Sequence, residues 1–229
     1  VKGVEVSELN SNDLSKMLPA IDVRDVQSAV LSPLDGYVPD PVKLVEAYAH
    51  RAQLLGVKIV QSTPIVDVER SGDAFTIKCE SRVIQAEQIL VALNAYSMPI
   101  LRSLGTSLPC YPYPRHVFAI SPPPSYPEEA LPMTIFSDHD LMLRFERNRL
   151  LAICGFRERS SADEMLIPGR LDEARRRILA RVDITTRKVE AAWSGLRAVT
   201  PDRRALVGAL PGVPGAWCAI GFSGHGLMH

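Results

Sequence analysis

Between Val57 and Leu93 the apolar residues come in short runs, each closed by turn formers before a helical period can establish itself. Val57–Val60, Ile65–Glu69, Ala74–Cys79, Arg82–Ile84 and Gln88–Leu93 read as strands, with Ser71-Gly72-Asp73 as a hairpin turn. A chain with this rhythm has to build a sheet. Ahead of it, Asp40-Pro41 opens a helix: Asp40 caps it, Pro41 takes the first helical position and Gly56 ends it. Leu44, Ala47, Tyr48 and Leu55 form its apolar face. A helix, a strand, and hairpins returning to the buried run Ile89–Leu93 make an α/β arrangement with an antiparallel insert.

On either side the signals are similar. Ser11–Leu18 reads as a short helix capped by Ser11 or Asn12 and halted by Pro19; Asp22–Leu31 reads as extended, with a turn over residues 32–36. Past Leu93 come Pro109, Pro112, Pro114 and the triplet at 122–124, read as an exposed loop. Arg115–Ile120, Met133–Phe136, Leu141–Glu146 and Leu150–Gly155 read as antiparallel strands. Leu171–Arg181 is an amphipathic helix with Leu171, Ala174 and Ile178 inward and Arg175, Arg176 and Arg177 in solvent. Val189–Arg197 is a last long strand. The expected class is α+β or α/β, with a large mixed, mainly antiparallel sheet flanked by helices.

The 229 residues allow one large domain or two small ones, and a 46% hydrophobic share suffices for a core. A net charge of zero argues against an electrostatic grip on nucleic acid or anionic lipid. The apolar runs are far shorter than a membrane span. Cys79, Cys110, Cys154 and Cys218 are scattered, with no C-x-x-C pair, and read as buried thiols in a reducing, cytoplasmic setting. Nothing at the start resembles a signal peptide. With Val1 first and His229 last, directly after a glycine-rich run, both ends read as cut.

Chemistry concentrates near the C-terminus. The buried strand Ala216–Ile220 runs straight into Gly221-Phe222-Ser223-Gly224-His225-Gly226. Glycines after a strand let backbone approach a ligand, and a helix beginning near Gly226 would favour an anionic atom; a plain turn closing the fold is the alternative. Arg197 ends an apolar strand, where its planar fork suits a substrate carboxylate, or else pairs with a structural acid. Arg144 alternates with apolar residues and can face a cleft or solvent. Ser137-Asp138-His139-Asp140 fits turn chemistry better than a site. His225 and His229 lack a third metal ligand, so no metal is expected.

Together these segments resemble the FAD-dependent amine and amino-acid oxidoreductases, which include glycine oxidase, sarcosine oxidase, dimethylglycine dehydrogenase and D-amino acid oxidase. The resemblance is carried by Gly36-Tyr-Val-Pro-Asp-Pro41, Gly56-Val-Lys-Ile59, Thr63-Pro-Ile-Val-Asp-Val68, Ile89 to Ser97, Pro114-Arg115-His116, Trp193 to Arg197, Thr200-Pro-Asp202 and Gly221 to Gly226. It implies FAD as cofactor and a small amine or amino acid as substrate, oxidised at its C–N bond by hydride transfer to the flavin. It implies cofactor contacts from Ile65, from Ala92, Leu93, Asn94 and Tyr96, and from Gly221, Phe222, Ser223, Gly224, His225, Gly226 and Leu227. Arg197 matches the Arg that clamps the substrate carboxylate; Arg144 is a second substrate candidate, and His225 joins Arg197 at the chemistry. Asn94 stands where the family usually has Gly, and Met228 where some sarcosine oxidases have a carboxylate-binding Lys.

The family also opens with a βαβ unit bearing G-x-G-x-x-G, which this sequence lacks. The implied layout is a substrate domain over 1–36 and 109–200, with 37–108 and 201–229 as the remainder of an FAD-binding domain. A partner subunit or an oligomer stays open. So does the alternative that the chain is a non-catalytic fragment or subunit needing the missing nucleotide-binding unit.

Overall fold

A computed structural model describes residues 3, 5–121, 132–146, 148–155, 169–183 and 187–228. In chain order they form β1 (Ser7–Leu9), α1 (Ser11–Met17), β2 (Ala29–Leu31), α2 (Pro41–Leu54), β3 (Ile65–Ser71), β4 (Ala74–Cys79), β5 (Val83–Ala86) and β6 (Ile89–Val91). There follow α3 (Ser97–Ser103), β7 (Tyr111–Ile120), β8 (Thr134–Phe136), β9 (Leu141–Glu146), β10 (Arg149–Gly155), α4 (Arg170–Leu179), β11 (Val189–Val199), β12 (Leu206–Ala209) and β13 (Ala216–Ile220). The sheets are β11-β7-β10-β9-β8, β12-β13-β6, β3-β4-β5 and the β1-β2 pair. Among the described residues every pairing is antiparallel except that of β13 with β6. The class is α+β.

Local chemistry explains most boundaries. The Asp40 carboxylate accepts the Lys43 N–H at 3.3 Å, and Pro41 sits in the first turn of α2. At the other end Gly56 has φ +87°, with Gly56 N–H donating to Gln53 O and Val57 N–H to Ala52 O, the paired bonds of a Schellman stop. Leu101 and Thr106 close α3 in the same way, around Gly105. The prolines at 112 and 114 lie inside β7, in the stretch that β11 pairs but β10 does not reach, and a strand with one open edge tolerates a missing donor.

Several expectations need correction. The cap of α1 is Asn10, not Ser11 or Asn12: its side chain accepts the Asn12 and Asp13 N–H groups, and Asp13 reaches back to the Asn10 N–H. Only Ala29–Leu31 of the 22–31 stretch is strand, because Asp22 and Asp25 turn to meet Arg24 and Arg181. Residues 57–60 are not strand: no described segment offers them a partner, and Val57, Ile59 and Val60 stay exposed. In α4, Leu171 is exposed, whereas Arg177 is drawn inward, donating to the carbonyls of Gly155 (2.7 Å) and His139 (3.2 Å). The proline triplet at 122–124 lies outside the described residues.

Two buried clusters organise the molecule. Leu14, Leu18, Phe118, Ile120, Leu141, Leu143, Leu150 and Ile178 belong to the first; Val68, Phe75, Val91, Leu101, Ala198, Leu210 and Ile220 belong to the second. Strand β11 runs from one to the other, since Ala192 packs on the first and Ala198 is buried in the second. The residue just before Ala198 therefore lies at a seam between cores.

Candidate active site

Register places the site. Across β11 and β7, Arg197 is opposite Tyr113 and Gly195 is opposite Arg115; across β7 and β10, Arg115 is opposite Gly155. Paired residues project from the same side of a sheet, so Arg197, Tyr113, Arg115 and Gly155 share one face. The other face bears Phe118, Ile120, Leu143 and Leu150, which are buried in the first core.

Arg115 is paired with Asp140, whose carboxylate also accepts the Tyr113 hydroxyl at 3.4 Å. That pair crosses over Gly155, where a Cβ would overlap both partners and stand 2.6 Å from Asp140 Cγ. Arg197 is different. It is partly buried, and among the described residues no hydrogen bond or ion pair engages its guanidinium. Burial, with the neighbouring Arg115 charge, lowers its pKa, while Asp140 and Tyr113 pull the other way. A guanidinium stays protonated under such shifts, so its positive charge goes unanswered among the described residues.

The glycine segment lies against this charge. A Cβ on Gly224 would be 2.7 Å from both Cζ and Nη1 of Arg197 and 2.8 Å from Nε, so the guanidinium lies face-on over that residue. Gly224 has φ +95° and Gly221 φ +71°; a Cβ on Gly221 would meet Thr200 Cγ2 at 2.6 Å. Ser223 stitches the segment to the end of β11: its N–H donates to Ala198 O at 3.0 Å, and its Oγ accepts the Thr200 N–H at 3.3 Å and donates to Gly221 O at 3.1 Å. The described residues end in a 3₁₀ turn, Gly226–Met228.

The other expected residues fall as follows. Ala92, Leu93, Asn94 and Tyr96 sit at the end of β6 and the 3₁₀ turn after it, and Ile65 opens β3; all five are exposed. Gly221 and Ser223 are buried, Phe222 is half-buried, and Gly224, His225, Gly226 and Leu227 are exposed. The His225 N–H donates to Phe222 O at 2.8 Å. His229 lies outside the described residues. Arg144 shares the open face but is not brought to Arg197: it pairs with Glu146 at 2.8 Å and stacks on Tyr37 at 4.0 Å. Its register partners, Leu151 and then Ala119, put it roughly 25 Å from Arg197 by strand rise and spacing. Tyr113 and Gly155 carry no sequence signal of their own and emerge only from strand register. Asp140, in a turn, turns out to hold Arg115.

Among the described residues no group of His, Cys, Asp and Glu could hold a metal ion, and no helix is long and apolar enough to cross a membrane. The cysteines are free, with Cys110, Cys154 and Cys218 buried.

The fold is that of FAD-dependent oxidoreductases. The family model described as FAD dependent oxidoreductase matches residues 1–229, and the chain belongs to that FAD-dependent family. Glycine oxidase of Bacillus subtilis (strain 168) is 24% identical over 191 residues, covering 82% of this chain and 50% of that protein. D-amino acid dehydrogenase of Rhizobium rhizogenes is 26% identical over 211 residues, covering 90% and 50%. The solved structure of L-proline dehydrogenase from P. horikoshii superposes with a TM-score of 0.84 at 22% identity, over 99% of this chain and 61% of the other. Glycine oxidase from Geobacillus kaustophilus gives 0.79 at 22% identity, over 96% and 58%. The chain thus spans about half the length of the curated relatives it matches.

Proposed function

We propose that this chain supplies the carboxylate grip and one wall of the ring site in an enzyme that oxidises the C–N bond of a small amino acid or related amine. The observation that carries the reading is the bare guanidinium of Arg197, half-withdrawn from water and laid against Gly224. A charge in that position has already lost part of its hydration, so a carboxylate that pairs with it bidentately gains more than at a free surface. Arg144 is engaged elsewhere, which leaves Arg197 as the substrate's anchor.

The residues present suit one side of FAD. Gly224 and Gly226 present bare backbone, and Ile65, Leu93, Tyr96 and Leu227 add exposed apolar surface. Bound FAD supplies the hydride acceptor. Gripping the carboxylate fixes the carbon next to nitrogen relative to the glycine segment, an orientation effect. His225, exposed beside Gly224, is assigned to proton exchange there. In this reading the first core, with β7 to β11, belongs to a substrate unit, and the second core belongs to the flavin unit.

The test uses the full-length protein loaded with flavin. Anaerobic bleaching is compared for amino acids and for the amines that lack only the carboxylate, in wild type and in Arg197→Leu. The wild type should favour the carboxylate-bearing member by about a hundredfold, the range for a buried charge pair. Arg197→Leu should lose that preference and keep its flavin. An undiminished preference in the variant would sink the assignment.

A second observation supports the reading that this chain works only when joined to a further nucleotide-binding unit. Helix α2 buries none of its residues, leaving Val42, Val45 and Tyr48 exposed. On the three-stranded sheet, Leu90, Trp217 and Val207 share an uncovered face. Parallel strands normally have both faces covered, so these surfaces suit a covering βαβ layer. Calorimetric titration of the 229-residue piece with FAD should show no tight binding; tight binding would refute this reading.

A further inference from the structure

We propose that Asn94 is a positioning residue for Arg197, which deepens and rests on the functional reading above. Among the described residues, the strand that carries Arg197, β11, is the outer strand of its sheet, paired with β7 on one edge. Its free edge exposes backbone groups that must find partners or water, and an unpartnered edge frays. Beside Arg197 that edge is closed by a side chain. Asn94 Nδ2 donates to Leu196 O at 3.0 Å, and Asn94 Oδ1 accepts the Ala198 N–H at 3.1 Å. The two bonds flank Arg197 on both sides along the chain. The carboxamide thus acts as one peptide unit of an absent neighbouring strand, and the Ser223 N–H extends the closure through Ala198 O at 3.0 Å.

The chemistry requires this residue. A planar group with one donor and one acceptor on a short stem is needed; Asp has no donor, and Gln carries an additional methylene. Asn94 also holds φ +49°, a left-handed conformation that Asn tolerates better than most residues. A glycine here would satisfy the backbone while surrendering both bonds. The side chain is therefore committed to β11, and any contact of this segment with a cofactor falls to its backbone and neighbours. Asn94 lies just after β6 and Ser223 within the glycine segment, so the elements that line the ring side also fix the strand that bears the guanidinium.

The experiment compares wild type, Asn94→Gly and Ile77→Val in the full-length protein, with and without flavin. Ile77, which packs on the second core from β4, serves as a control for a general loss of stability. Two quantities are read: hydrogen exchange at the Ala198 amide, and calorimetric affinity for acetate as a bare carboxylate probe. Asn94→Gly should speed exchange at Ala198 and weaken acetate binding about tenfold, with flavin content unchanged, since small misplacements of a clamp cost that much or more. Ile77→Val should leave both quantities as in wild type. Wild-type acetate affinity in Asn94→Gly overturns the proposal. If wild type itself binds no acetate, the failure belongs to the reading of Arg197; exchange at Ala198, which needs no ligand, then decides whether Asn94 braces the strand.

Discussion

Replacing Gly224 by Ala adds one methyl group at the contact between the glycine segment and Arg197. The added Cβ would lie 2.7 Å from Arg197 Cζ and Nη1. Ordinary contact for such atoms is about 3.5–4.0 Å, so the guanidinium or the segment must retreat by about 1 Å. The segment has little freedom to do so, because Ser223 ties it to Ala198 and Thr200. Independently, φ is +95° at this position, and an L side chain in a left-handed conformation costs about 1–2 kcal/mol. Two effects should follow in the full-length protein. Thermal melting should fall by about 2–8 °C, the shift that such a cost produces in a domain of this size. The preference for carboxylate-bearing substrates should drop by about a hundredfold, the usual consequence of a 1 Å displacement. Differential scanning calorimetry reads the first effect, and anaerobic flavin reduction with paired substrates reads the second. A variant that is less stable yet retains the full carboxylate preference would show that Arg197 does not act from its place over Gly224.

Four further outcomes are expected. Asp140→Asn frees Arg115 beside Arg197, so calorimetric affinity for a dicarboxylate such as succinate should rise relative to acetate; an unchanged ratio would mean the Arg115 charge is not felt at the site. Asp40→Ala removes the cap of α2 and should cost about 1 kcal/mol in denaturant unfolding. Burial alone would raise the Glu173 pKa, but hydrogen bonds from Arg170 and Arg177 outweigh it and hold the carboxyl below its ordinary 4.5. Its contribution to stability is therefore complete above pH 4.5 and is lost as pH falls through the lowered value, a decline that Glu173→Gln should flatten in acid unfolding curves. Burial pushes the Cys154 thiol up to about 11, so in the native protein it should resist iodoacetamide at pH 8, as read by mass spectrometry.

How much of this could be read from the chain alone differs by element. Helix α2 and its two ends were legible because Asp40, Pro41 and Gly56 act locally, each on its own turn of backbone. Strand β13 and the bend after it were legible for the same reason: an apolar run meets glycines that need positive φ. The failures are non-local. Residues 57–60 look like a strand, but a strand exists only where another segment supplies hydrogen bonds, and no described segment does. The Arg triplet of α4 has the pattern of a solvated face, yet the carbonyls of Gly155 and His139 claim Arg177 through a fold no local pattern encodes. Helix α3 carries only two local signals, Pro99 in its first turn and Gly105 after its end. Arg197 could be picked as a candidate because it ends an apolar strand, but its company could not. Tyr113 and Gly155 share its face through register across separate strands, and Asp140 comes from the turn before β9.

The disposition of charge in that company favours function over stability as the reason Arg197 is bare. An acid is near enough to pull its pKa upward, yet Asp140 is spent on Arg115 and on the Tyr113 hydroxyl. Had the fold been arranged only to neutralise charge, the carboxylate could have been shared with Arg197, whose pKa burial lowers. Instead Gly155 has no Cβ, which lets the Arg115–Asp140 pair cross the strand and close on itself. Gly224 has none either, which lets Arg197 lie open beside it. A partly buried cation without a partner is a standing cost, and the backbone around it is held on both sides by Asn94 and by Ser223. Rigid backbone with an unsatisfied charge at its centre is the arrangement in which an arriving carboxylate gains most, because the guanidinium loses little further freedom when the ligand binds.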